Sequence, residues 1–180
     1  KRVTRAVPDG GPIEAHTDLV KKLDYECELA VVLGRDARDV PAGQTRDYIF
    51  GYTILNDVSA RDVQTAHKQW YFGKSLDGFT PIGPCIVTAD AFADYPPRLG
   101  IRSFVNGEKR QDSNTALQIF DIDHVIAELS QGMTLKAGTI IATGTPAGVG
   151  MGMDPPQFLK PGDVVRCEID GIGTLTNPVK

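Results

Sequence analysis

The chain has 180 residues, 41% of them apolar and 23% charged, with a formal net charge of −4. That length suits one domain around a single core. The mild acidity argues against nucleic acid or an anionic membrane as partner, because both demand a basic face, and neither a membrane-length apolar run nor a signal-peptide pattern is present.

Residues 1–23 are polar and turn-rich, punctuated by Pro8-Asp9-Gly10-Gly11-Pro12, and read as an irregular lead-in to a single domain over 24–180. The first strong element is a strand from Tyr25 to Leu33, rich in β-branched residues and stopped by Gly34. A second apolar run, Ile49 to Leu55, ends at Asn56-Asp57. Ser59-Ala60-Arg61-Asp62 has the spacing of a capping box, Ser at the N-cap and an acid three residues on, and predicts a short helix to about Lys68.

Pro81 to Thr88 is a further apolar stretch. Asn106-Gly107 between strand-like flanks predicts a hairpin across Ile101 to Gln111. Asp121 can cap a helix with apolar Ile122, Val125, Ile126 and Leu129 at i, i+3, i+4 and i+7, and Gly132 lies just past its end. Thr139 to Thr143 reads as a strand entering the turn Gly144 to Gly150. Pro161-Gly162-Asp163 then turns into strands at Val164 to Ile169 and Gly173 to Thr176. Many short strands, frequent Gly/Pro turns and two helices predict a β-rich α+β fold, a mixed β-sandwich roll or distorted barrel. The βαβ alternation of a doubly wound sheet is absent.

The three cysteines, Cys27, Cys85 and Cys167, are far apart and form no Cys-x-x-Cys pair, which excludes a zinc knuckle and points to a reducing compartment. Two of them stand in strand-like runs, where cysteine serves as a small core residue. The histidines His16, His67 and His124 are scattered without metal-ligand spacing. Gly73-Lys74-Ser75 lacks the upstream glycine of a phosphate loop, since Lys68 stands there.

Glu26-Cys27-Glu28 is the most informative tripeptide. Residues i and i+2 of a strand share a face, so both carboxylates lie side by side while Cys27 points the other way. Two like charges beside a core repel and resist desolvation, a conflict that a hard cation resolves. An edge strand with its acids in water is the plainer alternative. Asp57 follows a hydrophobic run, and with Ser59 placed to cap the helix its carboxylate is free to join them. Three carboxylates with open positions would make a Lewis-acid site.

In sum, DYECELAVVLGR (24–35), GYTILNDVSARDVQ (51–64), WYFGKSLDGFTPIGP (70–84), FVNGEKRQ (104–111), TGTPAGVG (143–150) and FLKPGDVV (158–165) stand in the order and spacing of the fumarylacetoacetate hydrolase family. From Asp24 onward the chain resembles that family's C-terminal catalytic domain. The resemblance implies a β-rich roll that binds Mg²⁺ or Mn²⁺, in some members Ca²⁺, through Glu26, Glu28 and Asp57. It implies that Gln64 and Lys74 contact the substrate or its developing oxyanion, and that Arg61 and Thr145 line the site, Thr145 near a substrate carboxylate. Members are cytoplasmic homodimers acting on small oxo acids, several in aromatic catabolism. They cleave acylpyruvates or fumarylpyruvate, decarboxylate oxaloacetate or isomerise 2-hydroxyhepta-2,4-diene-1,7-dioate.

The expected activity is therefore metal-dependent cleavage of a C–C bond beside a carbonyl in a 2,4-dioxo acid. A decarboxylase or isomerase on the same scaffold is the alternative, and a non-catalytic metal-binding homologue the third reading. The family's general base, a His helped by a Glu, sits on a lid upstream of the matched blocks. Neither His16 nor Glu14 falls in such a block, so the lid is expected to be absent here and the base is assigned to no residue.

Overall fold

A computed structural model describes residues 1–66 and 68–180. In chain order it contains β1 (Leu23–Asp24), β2 (Cys27–Leu33), β3 (Ile49–Asn56), β4 (Ser59–Ala60), α1 (Arg61–Ala66), α2 (Trp70–Lys74) and β5 (Ile82–Thr88). Then come β6 (Gly100–Val105), β7 (Glu108–Asn114), α3 (Ile122–Ser130), β8 (Ile140–Ala142), β9 (Val164–Ile169) and β10 (Gly173–Pro178).

Two four-stranded antiparallel sheets carry the fold, in the orders β5-β3-β2-β8 and β10-β9-β6-β7, with β1 and β4 forming a two-stranded ribbon. β2 packs against β6 and β9, and β3 against β9 and β10, so the sheets face each other as a sandwich-like roll without closing into a barrel. β2 is buried along its whole length, as its continuous apolar run requires. Cys27, Leu29 and Val31 meet Ile101, Val105, Val165 and Cys167 in the shared core. Cys27 and Cys167 are free, buried thiols there, and burial holds the Cys27 thiol well above its ordinary pKa. Cys85 is exposed on β5, an edge strand.

The lead-in has no regular element before Leu23, yet it is laced to the rest of the molecule. Val7 bridges Pro81 and Ile13 bridges Val179, with Val7, Ile13, Ala15 and Val20 buried. The predicted hairpin is present. Asn106 and Gly107 both adopt positive φ, 52° and 84°, the backbone of a type I′ turn joining β6 to β7.

α3 starts where its cap predicts: the Asp121 carboxylate accepts the His124 N–H at 2.8 Å, and Ile122 and Ile126 fill the core. Leu129, expected on the apolar face, points outward instead. Substituting Asp121→Ala removes the acceptor of an orphan N–H and should lower stability by about 1 kcal/mol, read as a smaller urea midpoint at unchanged slope.

Four readings of local structure need correction. The first strand begins at Cys27, because the Glu26 N–H turns to the Asn56 side chain and leaves Glu26 only its carbonyl to bond across to β3. Ser59 does not cap a helix. It lies in β4 paired with Asp24, and its hydroxyl donates to the Asp57 carbonyl at 2.8 Å. A third helix, α2, was not expected, since it is only five residues long and has no side-chain cap. The helix expected through about Lys68 ends at Ala66, and His67 lies outside the described residues.

Candidate metal centre

The β2–β3 register builds the site. Cys27 pairs with Asn56, and the Asp57 N–H donates to the Glu26 carbonyl at 2.9 Å, so Asp57 stands directly across from Glu26. The Asn56 side chain fixes the peptide on the other side of Glu26 by accepting the Glu26 N–H at 3.0 Å. Ligand oxygens of Glu26, Glu28 and Asp57 consequently all lie within 4.8 Å of one another. Glu26 and Glu28 are buried and Asp57 is half-buried.

Cations surround the acids. Lys74, at the end of α2, places its ammonium 2.7 Å from Glu26 Oε2 and 2.8 Å from Asp57 Oδ2. It reaches that far inward because α2 lies tight on α1: a Cβ at Gly73 would stand 2.7 Å from the Gln64 backbone nitrogen. The glycine beside Lys74 thus serves helix packing and not a phosphate loop. Arg61, the first residue of α1, contacts Glu26 Oε1 at 2.7 Å and Asp24 Oδ2 at 2.9 Å, and donates to Gln64 Oε1 at 3.2 Å. Lys1 closes the far side on Asp57 Oδ1 and the Phe79 carbonyl.

Even so, positive charge falls short. Among the described residues, Asp24, Glu26, Glu28 and Asp57 face three cations, Lys1, Arg61 and Lys74. Glu28 bears the deficit. Burial first, then the charges of Asp57 and Glu26, push its carboxyl up to about 8, against the partial relief of the Gly144 N–H at 2.8 Å. Burial also works against Asp57, but Lys1 and Lys74 outweigh it and hold that carboxyl below its ordinary value. An all-oxygen donor set with an unneutralised buried carboxyl fits a hard divalent cation.

The structure brings Glu26, Glu28, Asp57, Lys74, Arg61 and Gln64 into one network. Thr145 stands beside it: its hydroxyl donates to the Cys27 carbonyl at 2.9 Å and accepts from the Gln111 amide at 2.7 Å. Toward Glu28 the turn offers the backbone N–H of Gly144 rather than the Thr145 side chain.

His16 binds the Asp77 carbonyl at 2.8 Å, and the exposed His124 stacks on Phe120. A cavity of about 440 Å³ lies past the same turn, lined by Leu29, Ile101, Phe120 and Val125. Strand alternation sets Leu29 on the opposite face from Glu28, so this cavity is not the carboxylate pocket.

Sequence reading missed Asp24, Lys1 and Gln111. Asp24 is fully buried and accepts from the N–H groups of Tyr25, Gly150 and Met151 at 2.9, 2.7 and 3.0 Å as well as from Arg61. Its position two residues before Glu26 was the available signal.

The family model described as fumarylacetoacetate hydrolase, C-terminal, matches residues 1–180. An oxaloacetate tautomerase of Bacillus subtilis is 48% identical over 170 residues, covering 94% of this chain and 56% of the relative. The structure of a fumarylacetoacetate hydrolase from psychrophilic Exiguobacterium antarcticum superposes with a TM-score of 0.93 at 51% identity, covering 96% of this chain and 62% of that one. A 2-hydroxyhepta-2,4-diene-1,7-dioate isomerase from Mycobacterium marinum does so at 0.84 with 44% identity, covering 96% and 64%. The chain therefore spans less than two thirds of the length of each of these relatives.

Proposed function

The chain belongs to the fumarylacetoacetate hydrolase family, and from that premise we propose that it carries the metal-dependent site of an enzyme cleaving a C–C bond beside a carbonyl in a 2,4-dioxo acid of the acylpyruvate or fumarylpyruvate kind. The observation that carries this reading is the cluster of Glu26, Glu28 and Asp57 within 4.8 Å, flanked by the Lys74 ammonium.

Mg²⁺ or Mn²⁺, with Ca²⁺ the larger alternative, would be held by those three carboxylates and would polarise a substrate carbonyl. Lys74 supplies fixed positive charge where an oxyanion develops, in a site that excludes much of the water. Arg61 orients the Glu26 carboxylate by holding the oxygen that Lys74 does not. Arg61 also holds the carbonyl oxygen of Gln64, which leaves the Gln64 amide nitrogen as the group offered to a substrate.

A second reading, tautomerisation or isomerisation of a 2-oxo acid, is favoured by the names of relatives at 48% and 44% identity. It uses the same polarised carbonyl and moves a proton without breaking the carbon skeleton. A panel of acylpyruvate, fumarylpyruvate, oxaloacetate and 2-hydroxyhepta-2,4-diene-1,7-dioate in Mg²⁺ or Mn²⁺ separates the two. Pyruvate plus a carboxylic acid is the expected product pair. An isomer of unchanged mass selects the second reading, and CO₂ from oxaloacetate a decarboxylase. Tight metal binding without turnover of any panel member would leave a binding homologue and sink both readings.

A further inference from the structure

We infer that Gln111 is a positioning residue of the metal centre, aligning the peptide that bears Glu26 and Glu28 with the 143–147 turn. This rests on the reading of Glu26, Glu28 and Asp57 as a cation site.

The need for such a residue follows from the ladder. β8 pairs with β2 only from Ala30 to Val32, and the Thr143 N–H extends that pairing to the Leu29 carbonyl at 3.2 Å. Toward Glu26 this edge of β2 has no strand beside it. Glu26 and Asp57 form a hydrogen-bonded position of the β2–β3 ladder, so Cys27 and Asn56 do not, and the N–H and C=O of Cys27 point to the open edge. Cys27 is fully buried, so water does not satisfy them.

Gln111, from β7 of the opposite sheet, closes the gap. Its Oε1 accepts the Cys27 N–H at 3.1 Å, and its Nε2 donates to Thr145 Oγ1 at 2.7 Å and to the Pro146 carbonyl at 2.8 Å. Thr145 Oγ1 completes a ring by donating to the Cys27 carbonyl at 2.9 Å. Both backbone groups between the two acids are thereby held by one side-chain pair. A glutamine meets the demand because a single amide offers an acceptor and two donors, whereas a carboxylate offers no donor.

Two further features aim it there. A β-bulge opposite Ser103–Phe104 leaves Arg110 unpaired and sets Gln111 against the buried Ser103, with no exposure of its own. At Gly148 the turn comes so close to β7 that a Cβ would lie 2.1 Å from the Arg110 carbonyl oxygen, so the turn docks at the base of Gln111.

The test compares Mn²⁺ affinity by calorimetry in the parent chain, in Gln111→Met, which keeps the volume and loses the ring, and in Thr145→Val, which opens the ring from its other side should Gln111→Met fail to fold. Ile126→Ala, a core deletion in α3 remote from the ring, controls for lost stability. The ring variants should bind Mn²⁺ about 10- to 100-fold more weakly than the parent, the usual cost of losing an outer-sphere partner, while Ile126→Ala binds as the parent does. Affinity at parent level in a folded ring variant, or an equal loss in Ile126→Ala, overturns the positioning role alone. No binding in the parent overturns it together with the cation site.

Discussion

Asp57→Ala should abolish measurable binding of Mg²⁺ and Mn²⁺ and, with it, turnover of any oxo acid the parent accepts. The substitution removes one of three carboxylates, so its effect should exceed the about 10- to 100-fold typical of a lost outer-sphere partner. It also strips Lys74 and Lys1 of a counter-ion, leaving Lys74 on Glu26 and Lys1 on the Phe79 carbonyl. The same two ammonium groups then face the cation position with one carboxylate fewer to balance them. The backbone at Asp57 is untouched: its N–H still meets the Glu26 carbonyl, and its carbonyl still accepts from Ser59. A near-native circular dichroism spectrum with no calorimetric heat of metal binding is the expected pair of results. Parent-level affinity would show that the cation, if any, sits elsewhere.

The second large effect is a pH dependence of opposite sign to that of most acidic residues. The Glu28 carboxyl rises from an ordinary 4.5 to about 8 in the folded chain, through burial first and then the charges of Asp57 and Glu26. Between those values the folded state holds a proton that the unfolded state has released. Stability of the metal-free chain therefore falls as pH rises through that window, by at most about 1.4 kcal/mol per pH unit, and levels off above it.

A carboxylate must be deprotonated to bind a cation, so metal binding should release a proton and strengthen by up to about tenfold per pH unit over the same range. Thermal unfolding in chelator at about pH 5.5 and about pH 8.5 should show the lower midpoint at the higher pH, with Mg²⁺ restoring more of it there. Glu28→Gln should flatten the metal-free slope. A slope unchanged in that variant would place the titrating group outside the site.

How much of this could be read from the residues depended on the range over which each signal acts. Glu26 and Glu28 were legible because a two-residue period and the neighbouring apolar run are local, whereas Asp57 was reached through a Ser59 cap that the structure does not contain, and it is the β2–β3 register that sets it across from Glu26. The Asn106-Gly107 turn and the Asp121 cap were legible for the same reason. Ser59 misled because a serine followed three residues later by an acid is spelled alike whether it caps a helix or pairs in a ribbon. Only the pairing with Asp24 decides between them. α2 was hidden by brevity, and its Trp70, Tyr71 and Phe72 are exposed, so no buried face marks it. Gln111 lay out of reach because its partner Cys27 is 84 residues away and no short pattern encodes such a contact.

The lacing of the lead-in to the last strand bears on how the molecule is made. The Ile13 N–H donates to the Pro178 carbonyl, Ala15 to the Lys180 carbonyl and Gly10 to the Thr176 carbonyl, while the Thr176 N–H returns to Asp9. These bonds join residues at opposite ends of the sequence, and no part of the β10 edge can be capped before translation has delivered both. Such long closures reward the chain only late, which places it among the slow, high-contact-order folders. Until β10 is in place β9 presents an open edge, a template for pairing with another chain.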